Sequence, residues 1–200
     1  MKKIFAGAPI LLFLMLSLSG CSAVGSKNAS LSVIYSAAAI LSLLLLIGCC
    51  LLVRKKKVWF VLLFSSVLVV NIGYTFLALS SGLEMALWAN RVAYLGSVFL
   101  PLSMLMIILD VSAAKYPKWL HGVLGVLSII IFLIAASPGI LPIYYKEVSF
   151  ITVNGVSSLN KVYGPLHPLY LIYLLGYFAA MITVIIRAQI KKTLKLRLTP

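Results

Sequence analysis

Five apolar runs, beginning near Leu31, Val58, Val92, Trp119 and Leu166, take up most of this 200-residue chain. Each is about 18–23 residues long, the length a helix needs to cross a hydrocarbon core about 30 Å thick. Lipid offers backbone N–H and C=O groups no partners, so such runs must satisfy them internally as helices. The expected fold class is therefore all-α: a polytopic transmembrane helix bundle of about five spans, with a small extracytoplasmic β-hairpin loop. Composition agrees: 63% of residues are hydrophobic and 10% charged, whereas a soluble domain carries about a quarter charged residues.

Seventeen basic residues against three acidic ones give a net charge of +14. On a soluble chain that balance would suggest nucleic acid. Here the basic residues gather at the ends of apolar runs, where they set orientation, and no basic face is left for nucleic acid. The spans are expected at Leu31–Val53, Val58 to about Leu79, Val92 to about Ala113, Trp119–Ala136 and Leu166–Ile186. One side then holds Arg54, Lys55, Lys56, Lys57, Lys115, Lys118, Arg187, Lys191, Lys192, Lys195 and Arg197; the other holds Lys27, Arg91, Lys146 and Lys161. Eleven against four makes the first side cytoplasmic, with the C-terminus inside and the mature N-terminus outside the inner membrane. Trp59, Trp88, Trp119 and Tyr163 fall near span ends, at the depth of the headgroups.

The N-terminus reads as a processing signal. Lys2 and Lys3 precede an apolar stretch, Ile4 to Leu16, too short to span a bilayer. Leu18-Ser19-Gly20-Cys21 resembles a bacterial lipobox, which implies lipidation of Cys21. The alternative is an ordinary or uncleaved signal in which Cys21 is incidental. Cys49 and Cys50 sit inside the first span as small apolar side chains, and no C-x-x-C spacing supports zinc or redox chemistry. No metal or cofactor is expected.

The segment from Pro138 to Gly164 is the only sizeable loop. Ser137-Pro138-Gly139 ends the fourth span; a β-branched stretch, Val148 to Val153, then meets Asn154-Gly155, a two-residue hairpin-turn signal, and Val156 to Tyr163 makes the return strand. An isolated hairpin is marginal in water, so this one must lean on the helices. It is either a ligand lid or a compact connector.

Few polar residues enter the spans. Asp110 lies about a turn from the inner end of the third, and Asn71 lies mid-way along the second. An acid or amide there is expected to face other helices, as a coupling residue or as a static anchor. Asn90 and Arg91 open the third span, and with Glu84 are expected to form an outer polar cluster; Tyr74 and Tyr94 lie at the same level. Gly96 and Pro101 permit close helix approach and a kink. His121 and His167, near span ends, have no ligand partner at metal spacing.

The run Ala89-Asn90-Arg91-Val92-Ala93-Tyr94-Leu95-Gly96-Ser97-Val98-Phe99-Leu100-Pro101 resembles the N-terminal seven-helix region of bacterial sensor histidine kinases, in which the following apolar stretch ends in an acid, here Asp110. Asn71 with Gly73-Tyr74, and Gly164-Pro165-Leu166 with Tyr173, extend the likeness over about Leu31 to Lys192. The resemblance implies a membrane sensory input module of a two-component system. Tyr74, Asn90, Arg91 and Tyr94 then become candidates for a ligand site, and Asp110 and Asn71 for coupling. Two helices of the pattern are missing before Pro200, and no phospho-acceptor box, ATP-binding glycine motif or G-G-D-E-F is present. The chain itself is therefore not expected to be an enzyme.

The expected organisation is a lipoprotein-type signal peptide (1–21), an extracytoplasmic linker (22–30), a transmembrane sensory bundle (31–190, with the outer loop at 138–164) and a basic cytoplasmic tail (191–200). Expected partners are the lipid bilayer, a histidine kinase or other signalling output protein, and a second copy of the chain as a homodimer. The competing reading is a lipidated multi-span structural or assembly protein of the envelope. A transporter fits less well, because no internal repeat and few midplane charges are present.

Overall fold

A computed structural model describes residues 29–52, 58–153 and 156–198, with side chains over 32–51, 58–153 and 156–190. The signal sequence, Cys21, the linker up to residue 28, the basic block at 54–57 and the Asn154-Gly155 turn lie outside the described residues. Five helices and one hairpin make up the rest: α1 (Ala29–Leu52), α2 (Val58–Ala78), α3 (Leu83–Val111), α4 (Leu120–Ala135), β1 (Tyr145–Val153), β2 (Val156–Tyr163) and α5 (His167–Leu198).

Ser32–Leu51, Val58–Ala78, Leu83–Val111 and His167–Ile190 are long and apolar enough to cross a membrane. The fourth apolar run forms a helix of 16 residues, shorter than the others. The expected third span began at Val92; the helix instead starts nine residues earlier, at Leu83. Glu84 in its first turn favours that start, because a carboxylate complements the positive end of the helix dipole.

Helix α3 is the axis of the bundle. Half of its spanning stretch is buried (50%), against 11% for α1 and for α2 and 17% for α5. Its face toward α2 is a seam of small residues, Ala86, Ala89, Ala93 and Gly96, spaced three and four apart. A Cβ on Gly73 would fall on the backbone of Ala93, and one on Gly96 would fall on the Ser66 carbonyl and Val70. Such small side chains let two backbones approach where lipid gives no hydrophobic drive to association. The close approach expected of Gly96 is thus met, and α3 continues as helix through Pro101.

The opposite face of α3 holds the larger core side chains. Val98, Leu102, Leu105, Met106 and Leu109 pack with Ile131 of α4 and Tyr173, Tyr177 and Met181 of α5. Helix α4 lies beside α3 over most of its length. Trp59, near the start of α2, contacts His121 at one end, and Arg91 bonds the Ala136 carbonyl at the other.

The strands pair antiparallel, from Val153↔Val156 at the tip to Tyr145↔Tyr163 at the base, with an irregularity between Tyr145 and Glu147. The hairpin forms where expected, although β1 starts three residues before Val148.

Candidate functional site at the hairpin end

Tyr94 is where the hairpin meets the bundle. Its hydroxyl lies 2.6 Å from the Tyr145 hydroxyl and accepts a bond from Tyr144 at 3.2 Å. Its ring meets Tyr144 and Tyr170 edge-on, with centroids 5.5 and 5.4 Å apart, a favoured geometry for aromatic pairs. Tyr145, Tyr163 and His167 extend this aromatic group along the hairpin base. Burial pushes the Tyr144 and Tyr145 hydroxyls far above their ordinary value, and the contacts with Tyr94 add to it. Both are therefore neutral hydroxyls at any physiological pH.

Two further ties hold the hairpin. Ser157 Oγ donates to the Ser80 carbonyl in the α2–α3 turn. Lys161 Nζ donates to Asn90 Oδ1 at 2.9 Å and lies 5.1 Å above the Tyr145 ring. Lys161 is half-buried without a carboxylate partner among the described residues, and burial lowers its pKa from the ordinary lysine value. Asn90 is only 3% exposed, and its Nδ2 has no hydrogen-bond partner among the described residues. A buried amide in that state costs about 1–3 kcal/mol.

Between the hairpin and the ends of α1 and α2 lies a cavity of about 420 Å³, within the range of small-molecule sites. Tyr35 and Tyr74, stacked at 5.5 Å, form one side. Ser157, Ser158 and Lys161 supply polar groups from β2, and Leu77, Ala78 and Leu159 supply apolar surface.

Of the expected outer-site residues, Tyr74 therefore lines this cavity, Asn90 is bonded to its lysine, and Tyr94 anchors the hairpin beside it. Arg91 goes elsewhere. One residue along a helix turns about 100°, and its guanidinium reaches the Ala136 and Pro138 carbonyls at 3.1 and 2.9 Å and stacks over Trp88. It bonds the carbonyl of Ala136, the C-cap of α4, and that of Pro138 just beyond, and so fixes the turn containing Gly139, whose φ of +84° suits glycine. Glu84 makes no ion pair with it, so the expected Glu84–Asn90–Arg91 cluster does not form: Asn90 and Arg91 serve different segments.

At the other end of α3, Asp110 Oδ1 accepts a bond from the Tyr116 hydroxyl at 3.1 Å. This ties the helix to the turn before α4, where Ala113 has a positive φ of 48°. Asn71 lies part-buried in α2, its carbonyl accepting from Thr75 Oγ1.

Sequence reasoning missed Lys161, Tyr35, Tyr144 and Tyr145, because the expectation that the hairpin leans on the helices does not say which side chains meet. It also missed a buried hydrogen-bonded knot among three helices. Tyr173 donates to the Val98 carbonyl at 2.8 Å and meets Ser128 Oγ at 2.8 Å. Tyr170, Tyr173 and Tyr177, spaced three and four apart on α5, were the legible signal for one polar-tipped face.

A family model described as the N-terminal 7TM region of histidine kinase matches residues 34–197. The chain belongs to this family. The match runs from the first turns of α1 almost to the end of α5, so it takes in the hairpin, the cavity and both ends of α3. The chain is thus a multi-pass membrane region of the sensory input kind found in histidine kinases. No curated protein and no solved structure matches it.

Proposed function

We propose that this protein is a membrane-embedded sensory input module that passes an extracytoplasmic or membrane stimulus to a cytoplasmic signalling output domain. The hairpin end faces outward in this reading, by the charge bias of the loops, and the bundle sits in the cytoplasmic membrane with α4 as a fifth crossing. Tyr74, Asn90 and Tyr94 belong to the stimulus site together with Lys161. Arg91 holds the adjoining turn, and Asp110 and Asn71 serve coupling.

The observation that carries the reading is the continuity of α5. It begins at His167, next to Tyr163 at the hairpin base, and runs unbroken for 32 residues to Leu198. At 1.5 Å per residue that is about 48 Å, more than a bilayer core. A change in how the hairpin sits is thus delivered to the far side by one rigid element. A stimulus moves this equilibrium only by its different affinity for the two arrangements.

The test is the output of the coupled kinase in cells carrying the Asn90→Ala, Tyr94→Phe or Lys161→Met chain. Each should shift basal phosphorylation or blunt the stimulus response while membrane insertion is unchanged. Wild-type output from all three, at normal protein levels, refutes the assignment.

A further inference from the structure

We infer that the cavity beneath the hairpin binds a small amphiphilic anion: a carboxylate or phosphate monoester on a compact apolar body, with Lys161 as its counter-ion. The inference names the ligand class of the site proposed above, and so rests on that reading.

The polarity of the cavity sets the class. Its charged lining residue is a lysine, and the chain carries only three acids in all. Among the described residues none of them pairs with Lys161, whose Nζ has a neutral amide oxygen at 2.9 Å and the face of the Tyr145 ring. Neither partner neutralises a cation that burial has partly stripped of water, so the site favours a negative charge there. Ser157 and Ser158 flank the position on the same strand and add hydroxyl groups. The Ser157 hydroxyl already donates to Ser80, which leaves Ser158 as the freer donor of the two.

The remaining walls set the body of the ligand. Leu77, Ala78, Val153 and Leu159 are apolar, and a free inorganic ion would leave them unfilled. The cavity volume of about 420 Å³ also exceeds what such an ion needs. Immediately behind the lysine, the Asn90 amide is spent on one side only: Oδ1 holds Nζ, while Nδ2 is buried without a partner. An anion drawing Lys161 toward it would loosen that bond. The ligand would thereby act on α3 through Asn90, not only on the hairpin.

The full chain in nanodiscs of zwitterionic phosphatidylcholine, titrated with octanoate, octyl phosphate and the uncharged isostere octanamide, tests this. Octanoate and octyl phosphate should bind about tenfold more tightly than octanamide, the size of one charge-assisted hydrogen bond. Lys161→Met should abolish that preference and leave octanamide binding in place, which also reports an intact fold; Lys161→Arg should restore it. Equal binding of octanoate and octanamide to the native chain, or a Lys161→Met chain that still prefers the anions, overturns the inference. Repeating the titration with phosphatidic acid, a lipid phosphate monoester, in the disc distinguishes the source. Competition identifies a lipid headgroup as the anion, and its absence a soluble one. Loss of the anion preference, with kinase output still sensitive to Asn90→Ala and Tyr94→Phe, removes the ligand class and leaves the sensory role standing.

Discussion

The two sides of α3 are built by different means. Toward α2, backbone lies on backbone, and Gly73 and Gly96 leave no room for even a methyl group. Toward α4 and α5, the helices stand further apart around bulky side chains, and a cleft of about 330 Å³ lined by Leu105, Leu124, Ile131, Leu169 and Tyr173 remains between them. Gly176 on α5 has no neighbour within 4 Å of where its Cβ would lie. Close packing tolerates one geometry, whereas a side joined by hydroxyl contacts and a cleft has room for a second. Stability is therefore expected of the α2–α3 side and any second arrangement of the α4–α5 side, with the hairpin touching both.

The most severe way to break this contrast is to substitute its glycines. Gly96→Val should cost about 2–3 kcal/mol through overpacking against the α2 backbone, and Gly176→Val should be near neutral. Thermal unfolding of both chains in the same detergent checks this. Comparable losses would mean that the halves are equally tight.

Tyr173→Phe removes the hydroxyl that joins α3, α4 and α5, and should cost about 1 kcal/mol, typical of hydrogen bonds between membrane helices. Protection of α5 amides from hydrogen exchange should fall while that of α2 holds. Tyr94→Phe deletes the bonds to Tyr144 and Tyr145 at a similar or smaller cost, about 0.5–1 kcal/mol. Here faster exchange should be confined to the β1 amides near Tyr145.

The smallest effect is that of pH on Lys161. Its folded pKa is lowered from 10.5 by burial, so the unfolded chain binds more protons between the two values. Stability should therefore rise with pH across that window, and the lysine penalty should be gone above it. Tyr144 and Tyr145 oppose this, because their raised values cause stability to be lost as pH climbs past 10. The lysine share is isolated by comparing native and Lys161→Met chains, the latter losing the upward component.

Much of this architecture is legible in the residue order. Apolar length places the helices, and the β-branched stretch ending at Asn154-Gly155 marks the hairpin, because these signals are local. Helix starts are less legible: Leu83 to Asn90 continues α3, although its mixed polarity reads as a loop beside the purely apolar run that follows. The site was half visible. Tyr74, Asn90 and Tyr94 share one end because helical rise alone puts them there. Their partners Lys161, Tyr144 and Tyr145 come from a strand pair whose docking depends on tertiary contacts. Arg91 misled because adjacency in sequence is divergence around a helix.

The short α4 has a consequence of its own. Its 16 residues give about 24 Å of rise, some 6 Å less than a typical hydrocarbon core. Its neighbours are long enough to tilt; with α4 as the proposed fifth crossing, the surrounding bilayer would have to thin around it or its flanks would have to sink. Each ångström of acyl thickening would then act on α4 first, at a fraction of a kcal/mol per ångström. In that reading the Arg91 clasp on Ala136 and Pro138 would carry the pull to the axis of the bundle, and lipid chain length would be a mechanical load on the fold.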